Sequence, residues 1–213
     1  MIVAITGNIG SGKSVVARYL VELSGAEHCD TDIVCRNLLK KEQPGWLGVK
    51  EKWGKRFVAQ DGSIDRSSLR EAVFENDSIR RELENILHPH VRIYIDRLAR
   101  RCRDEQRLLV VEVPLLFEVG WQKDFDYIVT VTAHHHDEVK RVVRRDGVSA
   151  EHVERILDTQ MDITTKAQYS DFVIDNSGPM SKTRTQVELL NSEILSKLDP
   201  GKSKFFTGKT LDS

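Results

Sequence analysis

Residues 7–14, GNIGSGKS, have the types and spacing that bind the phosphate groups of a nucleotide. Gly7, four residues and then Gly12-Lys13-Ser14 match the phosphate-binding loop pattern without a mismatch. In such loops backbone N–H groups turn toward the phosphates, the lysine reaches the β- and γ-phosphates, and the serine hydroxyl binds Mg2+. The alternative is a glycine-rich turn with a solvated lysine, but the flanking strand and helix patterns favour the loop. The predicted nucleotide contacts in this loop and the residue after it are Gly7, Asn8, Ile9, Gly10, Ser11, Gly12, Lys13, Ser14 and Val15.

A pair of aspartates, Asp30 and Asp32, follows the next predicted strand. Because residues alternate along an extended chain, both side chains are expected to point the same way. Asp32 could accept the proton of a hydroxyl group that attacks the γ-phosphate. It could instead be the N-cap of a helix that starts at Ile33, since aspartate is a favoured cap. The phosphate loop favours the role of base.

Glu112 ends another predicted strand, in VVEVPLLFE. Enzymes with this loop place a second acid there, which holds Mg2+ through a water molecule. Pro114 ends the strand and fixes the exit of the chain. The alternative for Glu112 is an ordinary carboxylate at a strand end, and a metal or substrate role is favoured.

Several basic residues could also contact phosphates. Arg141 and Arg145 lie four apart on a predicted helix, where like charges repel unless an anion lies between them. Such a clamp would stabilise the charge of a transferring phosphoryl group, although charge pattern alone favours a solvated face. His88-Pro89 should break or kink its helix, and spacing favours an ordinary histidine over a substrate contact. The run 134–136, HHH, is predicted to be a solvated loop and not a metal site.

Strand and helix patterns alternate along the chain, which predicts a parallel sheet with right-handed crossovers. Ligands of such sheets bind beyond the carboxyl ends of the strands, where residues 7–14, Asp30, Asp32, Glu112 and the segment after Thr132 would lie. The predicted strands are residues 2–6, 26–29, 108–113, 127–132 and 172–175, and the predicted helices are 15–23, 78–105, 141–146, 151–160 and 181–198.

Composition restricts the class of protein. The 213 residues carry 32 lysines and arginines against 33 acidic residues, so net charge does not favour nucleic acid or an anionic membrane as a partner. The three cysteines form no CxxC pair, which favours a reducing compartment over a disulfide framework. No apolar run is long enough to span a bilayer, and no cleavable leader is recognised. The sequence therefore predicts a cytoplasmic protein.

Seven stretches together resemble the dephospho-coenzyme A kinase family, from residue 1 to about residue 180. They are ITGNIGSGKS, DTDIVCR, GSIDRSSLREAVF, NILHPHVR, EVPLLFE, RRDGVSAEHVERILDTQ and DFVIDNSG. ILHP and PLLFE in this order are more specific than the phosphate loop alone. The resemblance implies transfer of the ATP γ-phosphate, with Mg2+, to the ribose 3′-hydroxyl of dephospho-CoA, which is the final step of coenzyme A biosynthesis.

The resemblance also assigns roles to individual residues. Asp32, Lys13, Arg141 and Arg145 become catalytic, the two arginines as lid residues over ATP, and Ser14 holds Mg2+ with Glu112 acting through water. The implied dephospho-CoA contacts are Asp32, Arg36, Arg70, Leu87, His88, Pro89, Arg92, Glu112, Pro114, Leu115 and Leu116.

The implied fold is a three-layer α/β P-loop kinase fold with a parallel five-stranded core sheet. A single unit, 1–198, would comprise a core (1–32, 106–133 and 171–198), a helical CoA-binding insertion (33–105) and a small lid (134–170). Residues 199–213, which lack hydrophobic periodicity, are predicted to form a mobile tail.

Two other functions stay open on sequence grounds. The first is a kinase for another small hydroxylated acceptor, such as a nucleoside or a sugar acid. The second is a nucleotide-dependent switch or adaptor. Residues 175–178, DNSG, match the DxxG of GTPases, but no guanine-reading NKxD is present, so this match is interpreted as accidental.

Overall fold

A computed structural model of the protein describes residues 1–198, so the predicted tail, 199–213, lies outside the described residues. The strands are β1 Ile2–Gly7, β2 Glu27–Asp30, β3 Leu109–Glu112, β4 Tyr127–Thr132 and β5 Phe172–Asp175. The helices are α1 Lys13–Ser24, α2 Thr31–Leu38, α3 Pro44–Trp53, α4 Arg66–Glu75, α5 Asp77–Asp104, α6 His135–Asp146, α7 Ala150–Asp158, α8 Ile163–Gln168 and α9 Met180–Leu198. All five predicted strands are present.

The five strands form one parallel sheet in the order β2-β3-β1-β4-β5, which confirms the predicted three-layer α/β fold. β1 is central and buried along its whole length, as expected for a strand that is covered on both faces. Its register pairs Ile5 with Glu112 on β3 and Gly7 with Val131 on β4. The carboxyl ends of β1, β3 and β4 therefore meet at one edge of the sheet.

The described chain divides into two compact units. The first comprises Met1–His28 and the described chain from Arg107 onward, and its main core packs β1, β3 and β4 against α1 and α9. The second, Cys29–Gln106, is helical and has its own core of Trp46, Val49, Phe57, Ile64, Leu69 and Ile79. The functional division into a CoA-binding insertion and a lid stays a prediction. Within residues 1–198, the helices are too short or too polar to cross a membrane.

The predicted break at His88-Pro89 is wrong, because α5 continues through both residues. Pro89 removes only the N–H group that would bond to the carbonyl of Asn85. Leu87 and Val91 are buried on either side of it, so tertiary packing holds the helix where one backbone hydrogen bond is lost.

The prediction of a loop over residues 134–136 is also wrong in part, because two of the three residues are helical. His134 is the N-cap residue of α6, and the helix begins at His135. The acidic residues Asp137 and Glu138 lie in the first turn, where negative charge favours a helix N-terminus. His135 pairs with Glu154 at 2.8 Å, and residues 1–198 contain no group of three or more potential metal ligands.

Candidate active site

The phosphate loop, residues 7–14, connects β1 to α1 and adopts conformations that only glycine tolerates well. Gly10 and Gly12 have φ angles of 82° and 97°. A Cβ atom on Gly10 would lie 2.4 Å from the backbone oxygen of Glu138, and one on Gly12 would lie 2.1 Å from Nδ2 of Asn176. Gly10 and Gly12 therefore pack closely against two other segments of the first unit, because glycine has no side chain at these positions.

The Lys13 side chain is held over this loop by the backbone carbonyl groups of the loop. Its Nζ donates hydrogen bonds to the carbonyl oxygens of Gly7, at 3.0 Å, and Asn8, at 2.9 Å. The ammonium group therefore lies across the mouth of the loop. Gly12 supplies no side-chain cap to α1, and uncapped helix N-termini of this kind bind anions.

Ser14, Glu112 and His28 form a hydrogen-bonded chain at the sheet edge. The Ser14 hydroxyl donates to Oε2 of Glu112 at 2.7 Å, and Nε2 of His28 lies 3.0 Å from Oε1. Burial alone would raise the pKa of Glu112, which is 4% exposed, but these two hydrogen bonds and the Lys13 charge lower it below its usual value. Glu112 is therefore a buried carboxylate, and the His28 nitrogen that faces it donates.

The two arginines of α6 have different environments. Arg141 Nη1 donates to the carbonyl oxygens of Gly10, at 3.2 Å, and Ser11, at 3.3 Å, and its Nη2 donates to that of Asn176 at 2.9 Å. The Arg145 side chain is 60% exposed and donates two hydrogen bonds to the adjacent Asp146. Only Arg141 is built into the phosphate loop in this structure.

The predicted lid helices pack on the same loop. Val142 on α6 and Val153 and Leu157 on α7 form a buried cluster, against which Ile9 of the phosphate loop packs. The backbone N–H of Ile9 also donates to the side-chain oxygen of Gln160 at 3.0 Å. A shift of α6 or α7 would therefore be transmitted to the loop through apolar and polar contacts.

Glu138 is an acidic group buried against the phosphate loop. It is 2% exposed, and its Oε1 has no hydrogen-bond partner among residues 1–198. Burial raises the pKa of this carboxyl to about 7, although the charges of His135, Lys13, Arg141 and Lys166 each lower it. Glu138 therefore titrates near neutral pH.

Replacing Glu138 with glutamine should make stability less dependent on pH. Because the pKa of Glu138 is raised from 4.5 to about 7 by folding, the folded state binds the proton more tightly than the unfolded state. Its contribution to the free energy of unfolding is therefore lost as pH rises through that interval. We expect Glu138→Gln to be more stable than the wild type by about 3 kcal/mol at pH 8, and nearly equal at pH 4.5.

Urea unfolding at the two pH values measures this difference. Glu71→Gln, on the exposed face of α4, serves as the control for loss of an acidic side chain. If the wild type and Glu138→Gln had the same pH dependence, the raised pKa of Glu138 would be wrong.

Asp30 and Asp32, in the second unit, do not have the arrangement that alternation predicts. Asp30 ends β2 and is the N-cap of α2, where its Oδ1 accepts the backbone N–H groups of Asp32, at 2.8 Å, and Ile33, at 3.3 Å. The helix therefore begins at Thr31, and both the extended geometry and the alternative of Asp32 as cap are wrong. The Asp32 side chain is exposed in the first helical turn.

The other predicted substrate residues of the second unit lie on α2, α4 and α5. Arg36 and Arg70 are exposed, and the carbonyl oxygen of Arg36 accepts a hydrogen bond from Arg66. On α5, Pro89 and Arg92 are exposed, His88 is half-buried and Leu87 is buried. Burial lowers the pKa of His88, the Glu84 charge opposes this and the Arg92 charge adds to it, so the neutral imidazole is favoured more than in a free histidine.

The segment after β3 belongs to the first unit. Pro114 accepts a hydrogen bond from the Thr6 hydroxyl through its carbonyl oxygen at 3.3 Å. Leu115 is 36% exposed, whereas Leu116 is fully buried. Of these two predicted dephospho-CoA contacts, only Leu115 presents its side chain at the surface.

Several residues that contact the phosphate loop or Glu112 were not among the sequence-predicted sites. Glu138 lies in an ordinary acidic helix start, Gln160 follows a helix, and His28 precedes the DTD motif without a recognisable spacing. Asn176 lies in DFVIDNSG, one of the stretches that resemble the family, but no role was assigned to it, and its match to the DxxG of GTPases is accidental. Each makes its contact through tertiary structure, more than 80 residues away along the chain in the case of the His28–Glu112 bond.

Comparison with known proteins gives a consistent result. A family model described as dephospho-CoA kinase matches residues 1–182. The dephospho-CoA kinase of Desulfotalea psychrophila is 35% identical over 187 residues, which cover 88% of this chain and 94% of the relative. That of Symbiobacterium thermophilum is 38% identical over 188 residues, which cover 88% and 78%.

A solved structure agrees with these relatives. The dephospho-CoA kinase of Campylobacter jejuni superposes with a TM-score of 0.67 at 27% identity, covering 91% of this chain and 96% of that chain. The kinase family implies a nucleotide substrate, in agreement with the phosphate loop. This chain belongs to the dephospho-CoA kinase family, whose members phosphorylate dephospho-CoA in the final step of coenzyme A biosynthesis.

Proposed function

We propose that this protein transfers the γ-phosphate of ATP to the 3′-hydroxyl of the dephospho-CoA ribose, which yields coenzyme A and ADP. The family match over residues 1–182 carries the proposal, and the phosphate loop of the first unit supplies the chemistry. A bond forms between the ribose oxygen and the γ-phosphorus, and the bond to the bridging oxygen of ADP breaks. The protein's contribution is to position these groups and to neutralise their charge.

Lys13 and the phosphate loop are proposed to hold the ATP phosphates. Nζ of Lys13 already lies across the loop on the carbonyls of Gly7 and Asn8. When a triphosphate binds, the ammonium group exchanges these neutral acceptors for anionic oxygens, which form stronger hydrogen bonds. The first-turn N–H groups of α1 add a favourable dipole at the same position.

Ser14 and Glu112 are proposed to hold Mg2+. The Ser14 hydroxyl donates its proton to Glu112, so the oxygen lone pairs point away from that carboxylate. A hydroxyl oriented in this way fits a cation, and oxygen ligands with a nearby carboxylate suit Mg2+. When bound, the ion neutralises charge on the β- and γ-phosphates. Glu112 contacts the ion through water in this proposal, while His28 keeps the carboxylate in place.

Arg141 and Arg145 are proposed to stabilise charge on the transferring phosphate. Their positions before the nucleotide binds differ. Arg141 is anchored on the loop carbonyls and on Asn176, which supports a fixed position. Arg145 must leave Asp146 before it can contact a ligand. Closure of the predicted lid would supply that movement and exclude water from the reaction.

Asp32 is proposed to accept the proton of the ribose hydroxyl. Asp30 already caps α2, so Asp32 is not required for that structural role. The family motifs support Arg36, Arg70, Leu87, His88, Pro89, Arg92 and Pro114 as dephospho-CoA contacts, with Leu115 and Leu116 lining the apolar part of the site. These assignments follow from the resemblance of the motifs in which the residues lie.

The proposed substrates are ATP and dephospho-CoA, and the proposed location is the cytoplasm. The three cysteines of the sequence form no CxxC pair, which supports a reducing compartment. A net charge near zero gives no support to nucleic acid or a membrane surface as a partner.

An acceptor panel tests the substrate assignment. ADP formation from Mg-ATP is measured with dephospho-CoA and, separately, with adenosine, shikimate and gluconate. We expect dephospho-CoA to be preferred by at least about 1000-fold in kcat/KM, because a site that buries polar groups rejects acceptors that leave them unpaired. Equal or greater activity with another acceptor would replace the proposal with that substrate.

A further inference from the structure

Asn176 lies directly after β5 and connects three parts of the first unit. It is 6% exposed, and all of its hydrogen-bonding groups have a partner. Its backbone N–H donates to Thr132 at 2.8 Å, and its carbonyl oxygen accepts from Arg141 at 2.9 Å. Its side-chain Nδ2 donates to the carbonyl of Ser11 at 2.8 Å, and Oδ1 accepts from the Thr183 hydroxyl at 2.9 Å.

The orientation of this amide group follows from its partners. A carbonyl oxygen can only accept, so the atom that faces Ser11 must be the NH2 nitrogen. The Thr183 hydroxyl then donates to the amide oxygen on the other side. Thr183 is 1% exposed, so solvent does not compete for this bond. The side chain is therefore locked in a single orientation.

The bond to Ser11 fixes one peptide plane of the phosphate loop. In a trans peptide the C=O and the following N–H point in opposite directions. Because the Ser11 carbonyl is held by Asn176 and Arg141, the N–H of Gly12 must point to the opposite side of the loop. The absence of a side chain on Gly12 lets Nδ2 of Asn176 occupy that space, at 2.1 Å from where a Cβ would be.

We propose that Asn176 is a positioning residue for phosphoryl transfer, which holds the Ser11–Gly12 peptide and the Arg141 guanidinium in the arrangement that receives nucleotide phosphates. The expected effect of Asn176 on the rate of phosphoryl transfer rests on the proposed function. The effect of these contacts on nucleotide binding by the loop can be measured separately, because that measurement needs no dephospho-CoA.

Asn176→Asp is the most informative variant. It keeps the size of the side chain and the acceptor for Thr183, but it places a carboxylate oxygen against the carbonyl of Ser11. Asn176→Ala removes both side-chain bonds without adding charge, and Thr183→Val removes only the bond on the far side of the amide. The full-length variants are compared by thermal unfolding, by binding of the fluorescent analogue N-methylanthraniloyl-ADP, and by kcat and KM.

A positioning role predicts that stability and nucleotide binding change separately. Thr183→Val loses one buried hydrogen bond and Asn176→Ala loses two, so both should unfold at a lower temperature. Affinity for the ADP analogue should fall about tenfold in Asn176→Ala, further in Asn176→Asp, and at most about threefold in Thr183→Val. KM for ATP should rise in the same order, while KM for dephospho-CoA at saturating ATP stays unchanged.

Wild-type nucleotide affinity in both folded Asn176 variants would overturn the inference, as would equal losses in Asn176→Ala and Thr183→Val. If Asn176→Asp does not fold, the comparison of Asn176→Ala with Thr183→Val decides. Wild-type protein that binds the ADP analogue but does not phosphorylate dephospho-CoA would refute the proposed function and leave the Asn176 test intact.

Discussion

Asp32→Asn is expected to lower kcat for dephospho-CoA phosphorylation by about 100- to 10,000-fold, the range usual for loss of a general base. The asparagine keeps the size of the side chain but cannot take the proton of the ribose hydroxyl. Nucleotide binding should remain within about threefold of the wild type, because the phosphate loop and Lys13 are unchanged. Steady-state kinetics and binding of N-methylanthraniloyl-ADP measure the two quantities.

The neighbouring acid provides a matched control. Asp30 caps α2 by accepting the N–H groups of Asp32 and Ile33, and asparagine is an equally good cap. Asp30→Asn should therefore keep most of the activity, although it removes the same charge two residues away. Wild-type turnover in Asp32→Asn would remove Asp32 from the mechanism, and equal losses in both variants would attribute the effect to local charge.

Lys13→Met is expected to lower kcat/KM by about 100- to 1000-fold, as when one preorganised electrostatic contact to the transition state is removed. The methionine side chain can occupy much of the same space, but it cannot neutralise the charge that moves onto the β–γ bridging oxygen. Binding of the ADP analogue should fall less than turnover. The two hydrogen bonds from Nζ to Gly7 and Asn8 are also lost, so a small drop in thermal stability is expected.

Lys123→Met controls for the loss of a positive charge elsewhere in the first unit. Lys123 is exposed in a short 3-10 helix, Gln122–Asp124. Its replacement should leave kinetics and nucleotide binding unchanged. Activity of Lys13→Met within about tenfold of the wild type would show that the ammonium group is not an essential phosphate contact.

Much of the fold follows from local pattern. The apolar runs of β4 and β5 were predicted with the bounds that the structure shows, because both are short and rich in apolar residues. The phosphate loop was predicted because its glycines and lysine are neighbours in sequence and act within one turn. Three predicted helix boundaries were wrong for physical reasons. Capping by Asp30 starts α2 at Thr31, and burial around Pro89 lets α5 continue where a break was predicted. The acidic first turn of α6 favours a helix in the segment that was predicted to be a loop.

The surroundings of the phosphate loop could not be predicted in the same way. Asn176 and Ser11 are 165 residues apart, and their contact exists only because β5 ends beside β4, which pairs with β1. The raised pKa of Glu138 depends on its burial in the folded protein, where its backbone also lies next to Gly10, and not on its neighbours in sequence. Contacts of this kind are seen in the structure, but they produce no periodic pattern or fixed residue spacing in the sequence from which they could be predicted.

The proposed reaction is tested most directly by measuring ADP release from Mg-ATP with and without dephospho-CoA and identifying the product. We predict that ADP forms in proportion to dephospho-CoA, that the product gains one phosphate by mass, and that phosphorus NMR places it on the ribose 3′-oxygen, as in coenzyme A. ADP release that is indifferent to dephospho-CoA, or a phosphate on another hydroxyl, would contradict the proposal.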